Sequence, residues 1–291
     1  MGYKCAVTLL ALYGLLGLAT AFTKPDQLEL LQQFRDAMLA RPGQQNWSKA
    51  LASWKCPTGP GGACDPCGTD SWGNWEHLGC RGPRMTYTKD VVPGDGSVTN
   101  IHITDYSIEG PIPEELCHFD KLTEFDVDGG RLNGSIPTWF ATCFPRLREI
   151  DLSYNWLTGT IPEELANVKT LEQLKMEHNQ LTGTVPADLG SLDRLNWLRV
   201  ADNQLQGTIP QALSKTAPHL SQLQIGGNDL SGNLYMLAEH HLVNFDGEDN
   251  RQLCGMVPVG ARFAHGFNPY NTRLGLPCPE EVEKGWEDLS G

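Results

Sequence analysis

Apolar and polar residues alternate in a phrase that returns every 24 or 25 residues through the middle of the chain. Residues 147–162 give the clearest copy, LREIDLSYNWLTGTIP, and residues 171–186 and 195–210 repeat it. In Ile150-Asp151-Leu152 the apolar residues alternate, which predicts a short strand with one face turned inward. Six copies align on a glycine: Gly110, Gly134, Gly159, Gly183, Gly207 and Gly232.

This fixed period, with its L-x-x-L-x-L-x-x-N-x-L core, is the signature of a leucine-rich repeat solenoid. Stacked copies place their strands side by side, about 4.8 Å apart. We therefore expect an α/β repeat fold, a right-handed solenoid with a parallel β-sheet on its concave face. An asparagine column predicts buried turns whose amides satisfy backbone groups; its members are Asn155, Asn179, Asn203 and Asn228.

The L-x-G-x-I-P ending of each copy resembles the plant-type subclass of extracellular leucine-rich repeats. That family includes polygalacturonase-inhibiting proteins and the ectodomains of receptor-like kinases. The resemblance covers roughly residues 24–280 and implies a second short strand on the flank of each repeat, with disulfide-bonded caps at both ends.

The chain divides into five predicted segments. Residues 1–21 resemble a secretory signal peptide, with Lys4, a short apolar run and an A-x-A site; an uncleaved anchor is the alternative. Residues 22–96 form an N-terminal cap, 97–235 six repeats, 236–280 a C-terminal cap and 281–291 an acidic tail. We expect a mature chain without a membrane span, secreted to the extracellular space or retained in the cell wall.

Nine cysteines are present, and eight remain if Cys5 leaves with the signal peptide. In a secreted chain structural disulfides are favoured over a zinc or redox role for the C-x-x-C segment. Their grouping favours four pairs, although other connectivities stay open: Cys56 with Cys64, Cys67 with Cys80, Cys117 with Cys143, and Cys254 with Cys278. Asn46 and Asn133 begin glycosylation sequons, the second on the flank of its repeat.

The residues around each L-x-L should line the concave face in columns. Copies two and three would then gather five carboxylates into one patch, with two cations beside it and three flat aromatic anchors near it. A merely solvated acidic surface is the alternative. The predicted partner-binding residues are Glu124, Asp126, Asp128, Glu149, Asp151, Tyr154, Trp156, Lys175, Glu177, Trp197 and Arg199.

Composition narrows the classes of function. The formal net charge of −13 argues against nucleic-acid binding. No catalytic motif is present, the histidines are scattered, and no loop has calcium-ligand spacing, so we expect no enzyme, no cofactor and no metal. We predict a recognition module that binds an extracellular, basic protein through an acidic groove.

Resemblance suggests inhibition of a cell-wall-degrading hydrolase, or a receptor-type sensor without its own kinase. A structural wall component is a further alternative. Ice or cell-wall polysaccharide binding is another, through a hydroxyl ladder formed by Ser135, Thr160, Thr184 and Thr208.

Overall fold

The computed structural model describes residues 78–80, 84–85, 91–92, 98–103, 109–213, 219–235, 241–255, 262–263, 267–268 and 270–278. The predicted signal peptide, most of the N-terminal cap, Asn46, the two N-terminal disulfide pairs and the acidic tail lie outside these residues. In chain order the strands are β1 Leu78–Cys80, β2 Arg84–Met85, β3 Val91–Val92, β4 Val98–His102, β5 Glu109–Gly110, β6 Glu124–Asp126, β7 Arg131–Ser135, β8 Glu149–Asp151, β9 Trp156–Thr158, β10 Gln173–Lys175, β11 Thr182–Gly183, β12 Trp197–Arg199, β13 Gln204–Thr208, β14 Gln222–Gln224, β15 Asp229–Gly232, β16 His241–Leu242, β17 Asn244–Asp246, β18 Gln252–Gly255, β19 Arg262–Phe263, β20 Phe267–Asn268 and β21 Arg273–Leu274.

A nine-stranded sheet, in the order β1-β4-β6-β8-β10-β12-β14-β17-β20, runs the length of the described solenoid. Only β1 is antiparallel to its neighbour; every other pair is parallel. The predicted parallel solenoid sheet is therefore confirmed. Because register is constant from strand to strand, equivalent residues of successive repeats stand directly beside each other.

The sheet does not end with the sixth repeat. Strands β17 and β20, within the segment expected to cap the C-terminal end, pair in parallel with the preceding strands. Asn250 occupies the position of the asparagine column there and is fully buried. The repeat geometry thus continues through sequence that no longer shows the full repeat phrase.

The expected second strand on the flank is also confirmed. Strands β5, β7 and β9 form one flank sheet, and β11, β13, β15, β18 and β21 form another. A single bridge between Thr160 and Thr182 joins the two sheets. Two further strand pairs lie outside these sheets: β2 pairs with β3, and β16 pairs with β19.

Short helical turns form the side opposite the concave sheet. In the residues that the structure describes, their bounds are η1 Glu114–His118, η2 Glu163–Asn167 and η3 Ala187–Ser191 for the 3-10 helices and α1 Phe140–Cys143 for an α-helix. Each 3-10 helix follows an extended proline, which fixes φ and ends the preceding strand. The core between the sheet and these turns is filled by leucine columns and, near α1, by Phe125, Phe140 and Phe144.

The predicted asparagine ladder connects neighbouring repeats. Asn179 Nδ2 donates to the carbonyls of Met176 (3.1 Å) and Glu177 (3.2 Å) in its own repeat and to that of Leu152 (2.9 Å) in the preceding one. Its Oδ1 accepts from the Leu157 backbone N–H at 3.0 Å. The same pattern recurs at Asn155, Asn203, Asn228 and Asn250.

Two of the expected disulfides lie within the described residues, and both are confirmed. Cys117, in η1, bonds Cys143 at the end of α1, and Cys254 in β18 bonds Cys278. The first bridge links residues 26 positions apart and the second links residues 24 positions apart, so each ties one repeat to the next.

Replacement of Asn179 by Ala should lower the free energy of unfolding by about 3 kcal/mol, because several buried backbone groups lose their partner and each such loss costs about 1–3 kcal/mol. Urea denaturation measures this loss. Gln180→Ala, at the exposed neighbouring position, is the control and should change stability little. A loss at Asn179 no larger than that of the control would contradict the ladder's role.

The glycine column makes a second prediction. Gly134 and Gly183 share a left-handed φ of 76° and 78°, but a β-carbon at Gly183 would lie 2.8 Å from Thr160 Cγ2, whereas at Gly134 its nearest neighbour would lie at 3.7 Å. Gly134→Ala should therefore cost about 1–2 kcal/mol for its φ alone, and Gly183→Ala about 1–3 kcal/mol more. Thr160→Ser, which removes the contacting methyl, should recover most of that excess in urea denaturation. Equal costs for the two alanines would refute the close contact.

Candidate functional site

The central column of the concave face carries the predicted charges. Register places His102, Asp126, Asp151, Lys175 and Arg199 side by side on β4, β6, β8, β10 and β12. The column before it contains Glu124, Glu149 and Trp197, and the column after it contains Asp128, Ser153 and Glu177. Nine of the eleven predicted residues thus belong to the three columns of the sheet.

Lys175 lies within the carboxylate patch, not beside it as the sequence suggested. Its Nζ is 2.6 Å from Glu149 Oε1 and 3.3 Å from Asp151 Oδ2, and the side chain is only 13% exposed. Burial lowers the pKa of Lys175, but its hydrogen bonds and ion pairs with these carboxylates raise the pKa by a larger amount. The net shift of the pKa is therefore upward. The protein therefore neutralises part of its own acidic patch.

Asp126 is the most perturbed group of the patch. Its pKa is raised from 3.8 to about 7, above all by burial and next by the charge of Asp151 on the neighbouring strand. His102, whose Nδ1 lies 2.8 Å from Asp126 Oδ2, and Lys175 act in the opposite direction. Asp128 also raises this pKa.

Trp197 lies between two cations. Lys175 Nζ is 5.1 Å and Arg199 Cζ 4.6 Å from the centre of its ring, which are cation–π distances. Arg199 also donates to Gln222 Oε1 at 2.7 Å and lies 3.8 Å from Glu177 Oε1. Burial raises the pKa of Glu177, whereas the Arg199 charge lowers it.

Several polar atoms of this face have no hydrogen-bond partner in the described part of the chain. They are buried and belong to neighbouring strands: Asp126 Oδ1, Ser153 Oγ, Gln173 Oε1, Glu177 Oε2 and Arg199 Nε. Four of the five can accept a hydrogen bond. Sequence analysis did not select Ser153 or Gln173, because an isolated serine or glutamine in a repeat column carries no signal of burial.

The lower edge of the groove has a flat aromatic pair. Tyr154 stacks on His178 with ring centres 4.2 Å apart, and Tyr154 is 53% exposed. Both residues have left-handed backbones, with φ of 56° and 54°. His178 Nε2 lies 3.3 Å from Asp202 Oδ2 on the next repeat.

Trp156 is not part of the concave sheet. It lies in β9 of the flank sheet, where Arg131 of the neighbouring strand β7 covers its ring at 5.3 Å. The position directly after the ladder asparagine starts the flank strand, which separates Trp156 from the carboxylate patch. Of the predicted anchors, Trp197 belongs to the concave face and Tyr154 to its lower edge.

The flank carries the hydroxyl ladder. Ser135, Thr160, Thr184 and Thr208 are exposed, and three of their methyl groups approach the glycine of the next repeat closely. This packing gives the threonines a structural role, while ice or polysaccharide binding stays a prediction. Asn133 lies in β7 of the same flank, so a glycan there would leave the concave face open.

A second acidic residue with a raised pKa, Asp246, lies further along the groove and was not among the predicted residues. Burial raises the pKa of Asp246, while a hydrogen bond from the Glu248 backbone lowers it and the charges of Asp202 and Asp249 raise it. In the described residues, no group of three or more His, Cys, Asp or Glu side chains could hold a metal ion. Over the same residues, no helix is long and apolar enough to cross a membrane.

Comparison with known proteins agrees with this geometry. The leucine rich repeat family model matches residues 120–181. The LRR receptor-like serine/threonine-protein kinase GSO2 of Arabidopsis thaliana is 34% identical over 147 residues, which are 50% of this chain but only 10% of that kinase. The chain thus spans about a tenth of this relative.

Solved structures give longer matches. A chain of the BIR3–SERK2 complex from Arabidopsis thaliana is 28% identical, with a TM-score of 0.52, 70% of this chain and 95% of that chain covered. Pollen Receptor Kinase 3 is 27% identical, with a TM-score of 0.58, 77% of this chain and 95% of that one covered.

The raised pKa of Asp126 predicts a particular pH dependence of stability. The folded state keeps a proton at Asp126 that the unfolded chain releases, so this residue makes stability fall as pH rises from about 3.8 to about 7. Relative to the unmodified chain, Asp126→Asn should be more stabilising at about pH 8 than at about pH 5. Denaturant unfolding across this range measures the difference.

Asp188→Asn, an exposed substitution on η3, is the control and should show no such trend. Parallel pH profiles for Asp126→Asn and the unmodified chain would contradict the raised pKa.

Proposed function

We propose that this chain, a leucine-rich repeat protein of the plant extracellular type, is a recognition module whose concave face binds a basic extracellular protein. The observation that carries the proposal is the presence of buried carboxylate oxygens, Asp126 Oδ1 and Glu177 Oε2, that lack a hydrogen-bond donor among the residues the structure describes. The partner would supply the missing donors.

A buried carboxylate oxygen that lacks a donor destabilises a protein, because its hydration is lost without compensation. This desolvation cost is therefore already present before binding. A Lys or Arg side chain of the partner would form charge-assisted hydrogen bonds there, each contributing about 1.5–3 kcal/mol. The exposed Glu124 and the net charge of −13 would also attract a basic partner over distance.

Lys175, Trp197 and Arg199 give the face a direction. Lys175 and Arg199 place positive charge after the carboxylates, and Arg199 Nε is a buried donor that finds no acceptor within the described ranges. A partner segment that runs from basic residues to an acceptor fits this order better than a uniformly basic one. Trp197 supplies the flat apolar surface typical of binding hot spots.

The relatives support a protein as the partner, since one matched chain was solved within the BIR3–SERK2 complex. Inhibition of a cell-wall-degrading hydrolase is one form of this proposal, in which the basic residues surround the enzyme's active site. A receptor-type sensor that binds a basic peptide is the other. Enzyme assays on the captured partner separate the two.

The test is capture of cation-exchange fractions of extracellular proteins on three immobilised chains. These are the unmodified chain, a concave variant with Asp126→Lys and Asp151→Lys, and a convex control with Glu163→Lys and Asp188→Lys that has the same net charge. Basic proteins retained by the first and third should bind the concave variant at least about a hundredfold more weakly, because each buried charge pair lost costs about 2–5 kcal/mol.

Equal retention on all three chains, or equal loss on both variants, would overturn the proposal. Thermal unfolding confirms that the concave variant is folded. A milder variant with Asp126→Asn and Glu177→Gln, which introduces no new cation beside Lys175, gives the same comparison should the lysine variant unfold.

A further inference from the structure

We propose that the concave face contains a subsite for a single arginine side chain of the partner, formed by Asp126, Ser153 and Glu177 and bordered by Tyr154 and His178. This arginine subsite rests on the proposed function and specifies the chemistry that the partner must present.

Ser153 is the residue that points to a bound group. It is only 4% exposed, and its Oγ has no partner in the described residues, although serine hydroxyls in protein interiors nearly always have one. Its backbone N–H already donates to Asp151 Oδ1 at 3.1 Å. The hydroxyl is thus buried without a partner in the described residues, on a face where other such atoms are carboxylate oxygens.

Register places Ser153 between two acidic residues. The Gly129 N–H donates to the Ser153 carbonyl (3.1 Å) and the Tyr154 N–H to the Glu177 carbonyl (2.8 Å), so Asp128, Ser153 and Glu177 follow each other on adjacent strands. Adjacent strands are about 4.8 Å apart. Asp126 precedes Asp128 by two residues in the same repeat, and its Oδ1 also has no partner in the described residues.

Acceptors spread over three strands suit a guanidinium group better than an ammonium group. A guanidinium presents five N–H donors in a planar fork, whereas an ammonium is a compact point charge. The chain already supplies an ammonium group of its own, since Lys175 Nζ lies on Glu149 and Asp151. The acceptors that remain without a partner in the described residues are more widely spaced: Asp126 Oδ1, Ser153 Oγ and Glu177 Oε2.

The stacked pair at the lower edge favours the same ligand. Tyr154 follows Ser153 in the chain and His178 follows Glu177, so the pair borders the acceptors directly. Guanidinium groups stack on aromatic faces as well as forming hydrogen bonds. The half-exposed Tyr154 ring would cover one face of the guanidinium group, while the N–H edges of that group meet the carboxylates.

Three blocked tripeptides are the probes: acetyl-Gly-Arg-Gly-amide, the same peptide with lysine, and the same peptide with citrulline, which is a neutral isostere of arginine. We would titrate each into the full mature chain and follow the backbone amide resonances by NMR. The arginine peptide should bind at least about fivefold more tightly than the lysine peptide, and citrulline should not saturate, because the bonds are charge-assisted. The largest shifts should occur at residues 153–154 and 177–178.

Two variants locate the subsite. Ser153→Ala removes one oxygen and Glu177→Gln one charge, and each should weaken the arginine peptide about tenfold, since one such bond is lost. Ser153→Ala should also bring the arginine-to-lysine ratio close to one. Glu172→Gln is the matched control, because this carboxylate pairs with Arg148 at 2.8 Å outside the subsite, and it should leave both affinities unchanged.

Equal binding of arginine and lysine peptides by the unmodified chain would overturn the subsite, as would unchanged affinity in Ser153→Ala. Because Ser153→Ala removes a single atom that makes no hydrogen bond to the described part of the chain, it decides the matter even if Glu177→Gln unfolds. If these peptides do not bind, but the concave variant still binds a captured basic protein more weakly than the unmodified chain does, the subsite is wrong and the proposed function stands. Failure of both experiments overturns the proposed function as well.

Discussion

The architecture depends on one interaction, the side-chain amide of the ladder asparagine bonded to the backbone of its own repeat and of the preceding one. An amide has both a donor and an acceptor, so a single residue can close its own turn and join its neighbour. No repeat satisfies its buried backbone groups alone, which makes the stack obligatory. Because the ladder fixes the same vertical step at each repeat, residues of one column stand about 4.8 Å apart whatever their charge.

This fixed spacing explains the unusual electrostatics of the concave face. Asp126 and Asp151 are held beside each other, and the fold offers Lys175 as compensation for Asp151 and Glu149 but leaves Asp126 to burial and His102. A merely solvated acidic surface would have carboxylates in full contact with water. Here the side chains of Asp126 and Asp151 are only 15% and 14% exposed, and the face retains acceptors for which the described residues offer no donor.

The sequence was sufficient to predict the features that recur with the repeat. It was insufficient for features that depend on the distances between side chains of different strands. Concave strands, ladder asparagines and two disulfides follow from spacing, because each repeat is the same local structure, whereas the flank strands follow from the resemblance to plant-type repeats. Strands β17 and β20 escaped prediction because Asn250 is preceded by an irregular phrase in place of the leucine pattern. The position of Trp156, the burial of Ser153 and the contacts of Lys175 depend on where neighbouring strands turn and how far their side chains reach, which a period does not state.

Stability and recognition make opposite demands on Asp126. Burial favours its protonated, neutral form, which is the form that stabilises the folded chain. A cationic partner interacts more strongly with the ionised form, so binding would draw the proton off the same group. The ladder and the disulfides can sustain this cost because they hold the backbone independently of the concave side chains. A rigid repeat scaffold therefore permits a face of charges that the fold itself does not favour, and that separation is what allows the face to serve an external partner.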